Sequence, residues 1–398
     1  MATGKRAAFT SVCILIACFA ALAALFFTGV IKTHQVSESI KIGVIEPLSG
    51  SSAVQGAMEL EGIVFANKLY PTVEINGKQV KIELEIADNH SKRLYTREAV
   101  KQLITEKNVS LILGSFSSPL SIMVGPVLEK ARVPGIVMSA TNQNVIRDTD
   151  YYFRLCFDDV TQSRNMAHYA YTNLGARTAC VIAEEENNRD LAEVSARTFI
   201  ELTNSEKSVL RVEFYPSDTT DFAPYLARIA ALKPDVLFAT GYAARTPLIV
   251  RTARLMGITA EIVGNSNYDD DAFLTGAAGY TDKVSFVSMF DESHEHADLP
   301  IEFIAAYHSE FGKKVLPYVA LGADGYFLAR RAIESAQASD SHAVRSAIAQ
   351  MQNFSGVAGP VAIAPDGTMT RNVLVKRIVD NQFETVAENP APRSQFRN

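Results

Sequence analysis

The sequence predicts an α/β fold of two doubly wound parallel-sheet lobes behind one apolar N-terminal helix. Length is the first sign: 398 residues exceed one ordinary core and suit two lobes plus a short extra segment. From Ser37 onward, short β-branched runs alternate with longer helical patterns, as parallel strands joined by crossover helices do. Several of those runs are continuously apolar, as strands covered on both faces should be.

The elements follow in order. A strand at 41–45 leads to a helix at 53–68, then a strand at 80–87 and a helix at 95–106. The apolar run at 109–113 precedes a helix at 120–131, and a strand at 135–138 precedes one at 162–173. Next come strand 179–183, helix 191–202, strand 211–215 and helix 222–232, where Phe222, Leu226, Ile229 and Ala230 recur at helical spacing and make one buried stripe. Strand 236–240, helix 245–256 and strands 261–263 and 284–288 complete the alternation. Helices at 300–311 and 318–337 and a hairpin-like stretch at 360–383 close the chain.

The N-terminus is of another kind. Lys5 and Arg6 precede an uncharged run at 7–31, long enough at roughly 25 residues to span a bilayer as a helix. The basic flank keeps this end in the cytoplasm and exports everything after Lys32. A secretory signal has a shorter apolar stretch and a small-residue cleavage site, so an uncleaved anchor is expected. Leu15-Ile16-Ala17-Cys18 leaves the alternative of a lipidated Cys18. In the exported part, Cys156 and Cys180 sit in apolar strand-like contexts and are expected as buried free thiols, although the compartment would permit a bridge.

Composition excludes some functions. A net charge of -6 without any Lys/Arg block argues against a nucleic-acid surface. The sequence holds no Gly-x-Ser-x-Gly, His-Glu-x-x-His, phosphate loop or dinucleotide fingerprint, so an enzyme is not expected. His294, Glu295 and His296 alternate in a charged stretch and read as solvated, and His90 and His168 stand alone. No cofactor or metal is expected.

Parallel α/β sheets bind ligands outside the carboxyl ends of their strands. The best-marked loop there is Gly114-Ser115-Phe116-Ser117-Ser118-Pro119, which opens a helix with a hydroxyl residue at the N-cap and Pro at N1. Free N–H groups and the helix dipole at that point favour a carboxylate; the plainer reading is that Ser118 merely caps its helix. A second hydroxyl loop, Ser139-Ala140-Thr141-Asn142, follows the next strand. Side by side, the two would cradle an anionic group, or form ordinary Asx and Ser/Thr turns.

Over 40 to about 385 the chain resembles the type I periplasmic solute-binding proteins of the leucine/isoleucine/valine-binding group. The likeness is carried by Lys41-Ile42-Gly43-Val44-Ile45 with Leu48-Ser49-Gly50, by Ile112-Leu113-Gly114-Ser115 with Ser117-Ser118, and by Val133-Pro134-Gly135-Ile136 with Ser139-Ala140-Thr141-Asn142. Phe153-Arg154 with Asp158-Asp159 and Gln162, the stretch 219–223, Pro234-Asp235-Val236 with Gly241-Tyr242, Val357-Ala358-Gly359-Pro360-Val361 and Pro365-Asp366-Gly367 extend it in order.

That resemblance implies a flytrap that closes on a small polar carboxylate-bearing solute. Ser118, Ser139 and Thr141, with Ser117 and Ala140 beside them, match the residues that hold an amino acid's carboxylate. Tyr242, Asn187 and Tyr318 match contacts elsewhere in the crevice. Where amino-acid binders place an acidic residue for the ammonium group, this chain has Ser266. An unpaired buried ammonium is costly, so another carboxylate serves or the ligand lacks an amine. Glu46 is the expected substitute, against a plainer reading as a solvated loop charge; Asp269 and Glu184 are weaker choices. Gln55 and Asn187 stand where the group usually carries aromatics, which suggests a more polar ligand than leucine.

The resemblance also implies three crossings between lobes, near 154–159, 288–292 and 356–360. The expected organisation is a signal or anchor segment 1–36, lobe 1 at 37–155 plus 289–358, lobe 2 at 156–288 plus 359–390, and a tail 391–398. Partners would be the small-molecule ligand, an ABC permease, and the membrane through the N-terminal segment. The alternative is an anchored sensor that presents bound solute to a signalling receptor.

Overall fold

A computed structural model describes residues 39–293, 300–363 and 369–389. The expected anchor at 7–31, with Cys13 and Cys18, lies outside the described residues, as do His294, Glu295 and His296 and the tail 391–398. Among the described residues no helix is long and apolar enough to cross a membrane.

The first sheet has the order β2-β3-β1-β4-β5-β6, built from β1 (Ser39–Glu46), β2 (Thr72–Ile75), β3 (Lys78–Asp88), β4 (Leu111–Gly114), β5 (Gly135–Val137) and β6 (Tyr152–Arg154). Its pairs are parallel except β2/β3. Ile42, Val44 and Ile45 of β1 are wholly buried because helices cover both faces. Those helices are α1 (Ala53–Leu69), α2 (Arg93–Thr105) and α3 (Ser118–Ala131). The strand β2 was absent from the sequence reading. It is short and turns into β3 through Asn76-Gly77, both in the left-handed region at φ 50 and 74 as a two-residue hairpin requires.

The second sheet has the order β16-β15-β11-β10-β9-β7-β8. It comprises β7 (Ala179–Glu184), β8 (Val209–Tyr215), β9 (Val236–Thr240), β10 (Glu261–Gly264) and β11 (Val284–Ser288), then β15 (Val373–Val379) and β16 (Gln382–Asn389), which add antiparallel at one edge. Packed on it are α4 (Asp159–Thr172), α5 (Glu185–Thr203), α6 (Ala223–Ala230), α7 (Thr246–Leu255) and the unanticipated short α8 (Asp271–Ala277). The stripe in α6 points inward as expected, with Phe222, Leu226 and Ile229 at 1% exposure or less.

After β11 come α9 (Pro300–Phe311), α10 (Pro317–Ala336) and α11 (Ser341–Gln350), the last also unanticipated. The helix α10 returns to the first sheet and lies against α1, β2, β4 and β5. It reaches α1 at backbone contact: a Cβ on Gly62 would sit 2.0 Å from Val319 O, and one on Gly322 would sit 2.1 Å from Glu59 O. A small third sheet follows, β12 (Phe354–Gly356), β13 (Gly359–Ile363) and β14 (Met369–Arg371). The tail end of the fold therefore corrects the sequence reading. The tight hairpin is β15/β16, turning at Asp380-Asn381 with φ 49 and 61, while 360–363 and 369–371 belong to the small sheet.

Cys156 and Cys180 are free and buried. Burial pushes their thiols up, to about 12 and about 11, which leaves them unreactive.

Candidate ligand-binding crevice

Each sheet reverses strand order once near its middle, β1 beside β4 in the first and β7 beside β9 in the second. The loops beyond those carboxyl ends face one crevice. Its inner end is lined by Ser117, Ser118, Ser139 and Thr141 from the first sheet and by Asp159, Asn187, Asn188, Tyr242, Asn265, Ser266 and Asn267 from the second. Phe116, Ser117, Asn187, Tyr242 and Asn267 also line an outer chamber, so the two are continuous. The inner end is narrow at about 20 Å³, and the outer chamber holds about 490 Å³.

The first-sheet wall is tied together beneath its surface. Gly114 takes φ 106, and a Cβ there would strike Ile45 O at 2.1 Å. The N-cap of α3 is Ser117 at φ 72, with no side-chain cap bond. Ser118 is therefore the first helical residue, not the cap that the sequence suggested. Its Oγ instead accepts the Asn142 N–H at 3.1 Å, which joins the two hydroxyl loops. Asn142 Oδ1 in turn accepts the Asn144 N–H at 2.9 Å. Ser139 Oγ is buried without a formed hydrogen bond among the described residues and lies beside the Glu59 carboxyl.

The plainer reading of Glu46 requires a correction. It is 0% exposed, so it is not a solvated charge, and it is not among the crevice's described lining residues. Its Oε2 accepts the Phe116 N–H at 2.7 Å and so holds the first hydroxyl loop from behind. Glu59 of α1 is equally buried beside it. Burial raises both carboxyls, Glu59 to about 7, and the Glu59 charge pushes Glu46 up further, while Ser139 and Glu46, beside Glu59, pull that carboxyl down. At neutral pH the pair keeps a proton, because two adjacent buried carboxylates cannot both ionise cheaply.

Ala140 and Tyr318 are also missing from the described lining. Tyr318 lies edge-on to Phe116 at 5.1 Å and donates to Asn267 Oδ1 at 3.2 Å, so it reaches the crevice through another side chain. Asp269 faces away, ion-paired with Lys376 at 3.0 Å and accepting from Ser288. Glu184 lines the outer chamber, where it accepts from Asn187. Gln55, in the same chamber, donates to Asp270 Oδ2 at 3.0 Å.

Asp159 is what the sequence reading passed over. In the sequence Asp158-Asp159 serves only as part of the family likeness; Asp158 caps α4 by accepting the Thr161 N–H at 2.8 Å. Asp159 turns into the crevice, 5% exposed. Its N–H donates to Thr141 O at 2.9 Å and its Oδ1 accepts Gln162 Nε2 at 2.6 Å. Burial pushes its carboxyl up to about 6 against the pull of Thr141 and Gln162. It is the one charged side chain among the inner end's described lining residues.

This architecture is that of a known family. The chain belongs to the periplasmic binding protein family, whose model matches residues 39–382. Among its relatives, Leu/Ile/Val-binding protein homolog 6 of Brucella abortus is 22% identical over 375 residues, 90% of this chain and 92% of that one. The branched-chain amino acid transporter substrate binding protein of Streptococcus pneumoniae, solved with isoleucine, is 26% identical with a TM-score of 0.79, over 89% of this chain and 100% of that one. A solute binding protein of an ABC transporter from Rhodopseudomonas palustris, solved with 3,4-dihydroxybenzoic acid, shares the fold at 22% identity and a TM-score of 0.78, over 90% and 99%.

Proposed function

We propose that this chain binds a small zwitterionic solute, an amino acid or close relative, outside the cytoplasm and delivers it to an ABC-type permease. The observation that carries the reading is the inner end of the crevice, where hydroxyls and amides from both sheets surround a single carboxylate, Asp159. A ligand carboxylate fits against Ser118 at the start of α3, where the helix N-terminus favours an anion, and against Ser139 and Thr141 in the loop after β5. Its ammonium group then meets Asp159. A carboxylate without an amine would leave Asp159 facing a like charge. The relatives' own ligands, isoleucine and a dihydroxybenzoate, share the carboxylate and differ in the amine.

Closure follows from contacts on both walls, since a ligand shifts a conformational equilibrium only by its differential affinity for the two states. Bonds already cross the crevice, Gln55 to Asp270 and Tyr318 to Asn267. Lobe 1 would comprise 37–155 and 289–358, and lobe 2 would comprise 156–288 and 359–390. The segment 1–36 would tether them to the membrane. Transport is favoured over sensing by relatives that are themselves named as transporter components. A thermal-shift screen of amino acids, amides, aromatic acids and dicarboxylates tests the reading. Amino acids should raise the melting temperature, and stabilisation by aromatic acids alone would overturn the zwitterion assignment.

A further inference from the structure

Arg371, the last residue of β14, is 3% exposed and far along the chain from the crevice loops. Its guanidinium donates to three backbone carbonyls: Leu155 O at 3.5 Å, Met289 O at 3.1 Å, and Ala358 O. Leu155 directly follows β6 of the first sheet and leads to α4 on the second. Met289 directly follows β11 of the second sheet and leads back to α9 and α10. Ala358 lies between β12 and β13, on the way from α10 and α11 to β15 of the second sheet. One side chain thus holds each of the three passages between the elements of the two sheets.

The third passage is gripped from both edges. Asp324 of α10, wholly buried, accepts the N–H groups of Val357 and Ala358 while Arg371 takes the Ala358 carbonyl. The approach is close enough that a Cβ on Gly356 would sit 2.2 Å from Asp324 Oδ1. Each of these buried charges offsets the other's desolvation, and burial still raises the Asp324 carboxyl to about 7. An arginine that served only local packing could satisfy its donors within its own sheet. Three acceptors at 155, 289 and 358 can be reached together only while the three passages keep one mutual arrangement.

We propose that Arg371 is a hinge clasp, a positioning residue that gathers the three crossings into one axis and limits how far the lobes swing apart. This rests on the two-lobe reading above and adds to it the residue that sets the range of motion. Asp324 anchors the clasp to α10, which packs against the first sheet. Losing the clasp frees the crossings to bend independently, so the lobes sample a wider spread of separations and the closed state becomes less accessible to a ligand.

The test is electron-spin distance measurement on the ligand-free full chain, labelled at Arg97→Cys on α2 and Glu201→Cys on α5, both exposed, with Cys13→Ser and Cys18→Ser. Cys156 and Cys180 are buried and escape labelling. Arg371→Gln should widen the inter-lobe distance distribution by about twofold, and Arg371→Lys, which keeps the charge and fewer bonds, should fall between. If Arg371→Gln does not fold, Asp324→Asn is read the same way, and widening there supports the clasp. Unchanged widths in a folded variant, with only a lower melting temperature, overturn it. No ligand enters the measurement, so that failure stays separate from a failed ligand screen.

Discussion

The two walls of the crevice are built differently. On the first-sheet side the loops are fixed before any ligand arrives: Glu46 holds Phe116, Ser118 holds Asn142, Asn89 holds Ser115 at 2.8 Å, and Tyr152 holds the Gly114 carbonyl. On the second-sheet side Tyr242 and Ser266 present their groups on short loops, with Asn267 bonded to Gly241 O at 2.9 Å and Asn187 leaning on Glu184. Under the proposed function, the difference predicts a division of labour: the first wall would act as a preorganised cradle, and the other would complete the site as the lobes close.

The largest expected effect breaks the cradle from behind. Glu46→Ala strands the Phe116 N–H and empties a buried site, so it should destabilise the fold by ~3 kcal/mol in a denaturant titration; a change below ~0.5 kcal/mol would remove the loop-holding role. Substitutions on the cradle's face should leave folding intact and act on the ligand. Ser118→Ala and Thr141→Ala should each weaken calorimetric affinity by about tenfold or more. Tyr242→Ala, on the closing wall, should cost less affinity than either. It should also reduce the compaction that ligand induces in X-ray scattering, and full compaction there would mean that this wall does not drive closure.

The buried acids give a pH effect with a fixed sign. Glu59 is raised from 4.5 to about 7 by burial, so the folded state holds its proton more tightly than the unfolded chain. The stability from this group is then full below pH 4.5 and is lost as pH rises through 7, by ~3 kcal/mol. Glu59→Gln should flatten that slope between pH 5 and 8 in thermal melts; an unaltered slope would place the titration elsewhere, with Glu46, Asp159 and Asp324 the other carboxyls that burial raises.

The alternation of apolar strands with helices was legible because burial on both faces leaves no polar residue in a run such as Leu111-Ile112-Leu113. The hydroxyl loops were legible for the same reason, since they must follow those strands. Short elements escaped, β2 and α8 among them, because few residues carry their periodicity. The placement of the buried acids was not legible, for a different reason. A carboxylate ending a strand is ordinarily solvated, whereas Glu46 is buried against the Gly114 loop and Glu59 of α1, neighbours distant in sequence. Asp159 carried no separate signal, because an acidic pair opening a helix already has an explanation in Asp158, and only the tertiary turn of α4 aims its neighbour into the crevice.

Calorimetry with a matched pair bears most directly on the zwitterion cradle: the amino acid that most raises the melting temperature, and its analogue lacking the amine, each titrated into wild type and Asp159→Asn. The amino acid should bind wild type at least about a hundredfold more tightly than its analogue, and the substitution should erase most of that gap. Equal binding of the two compounds by wild type, or a gap that survives in Asp159→Asn, would contradict it.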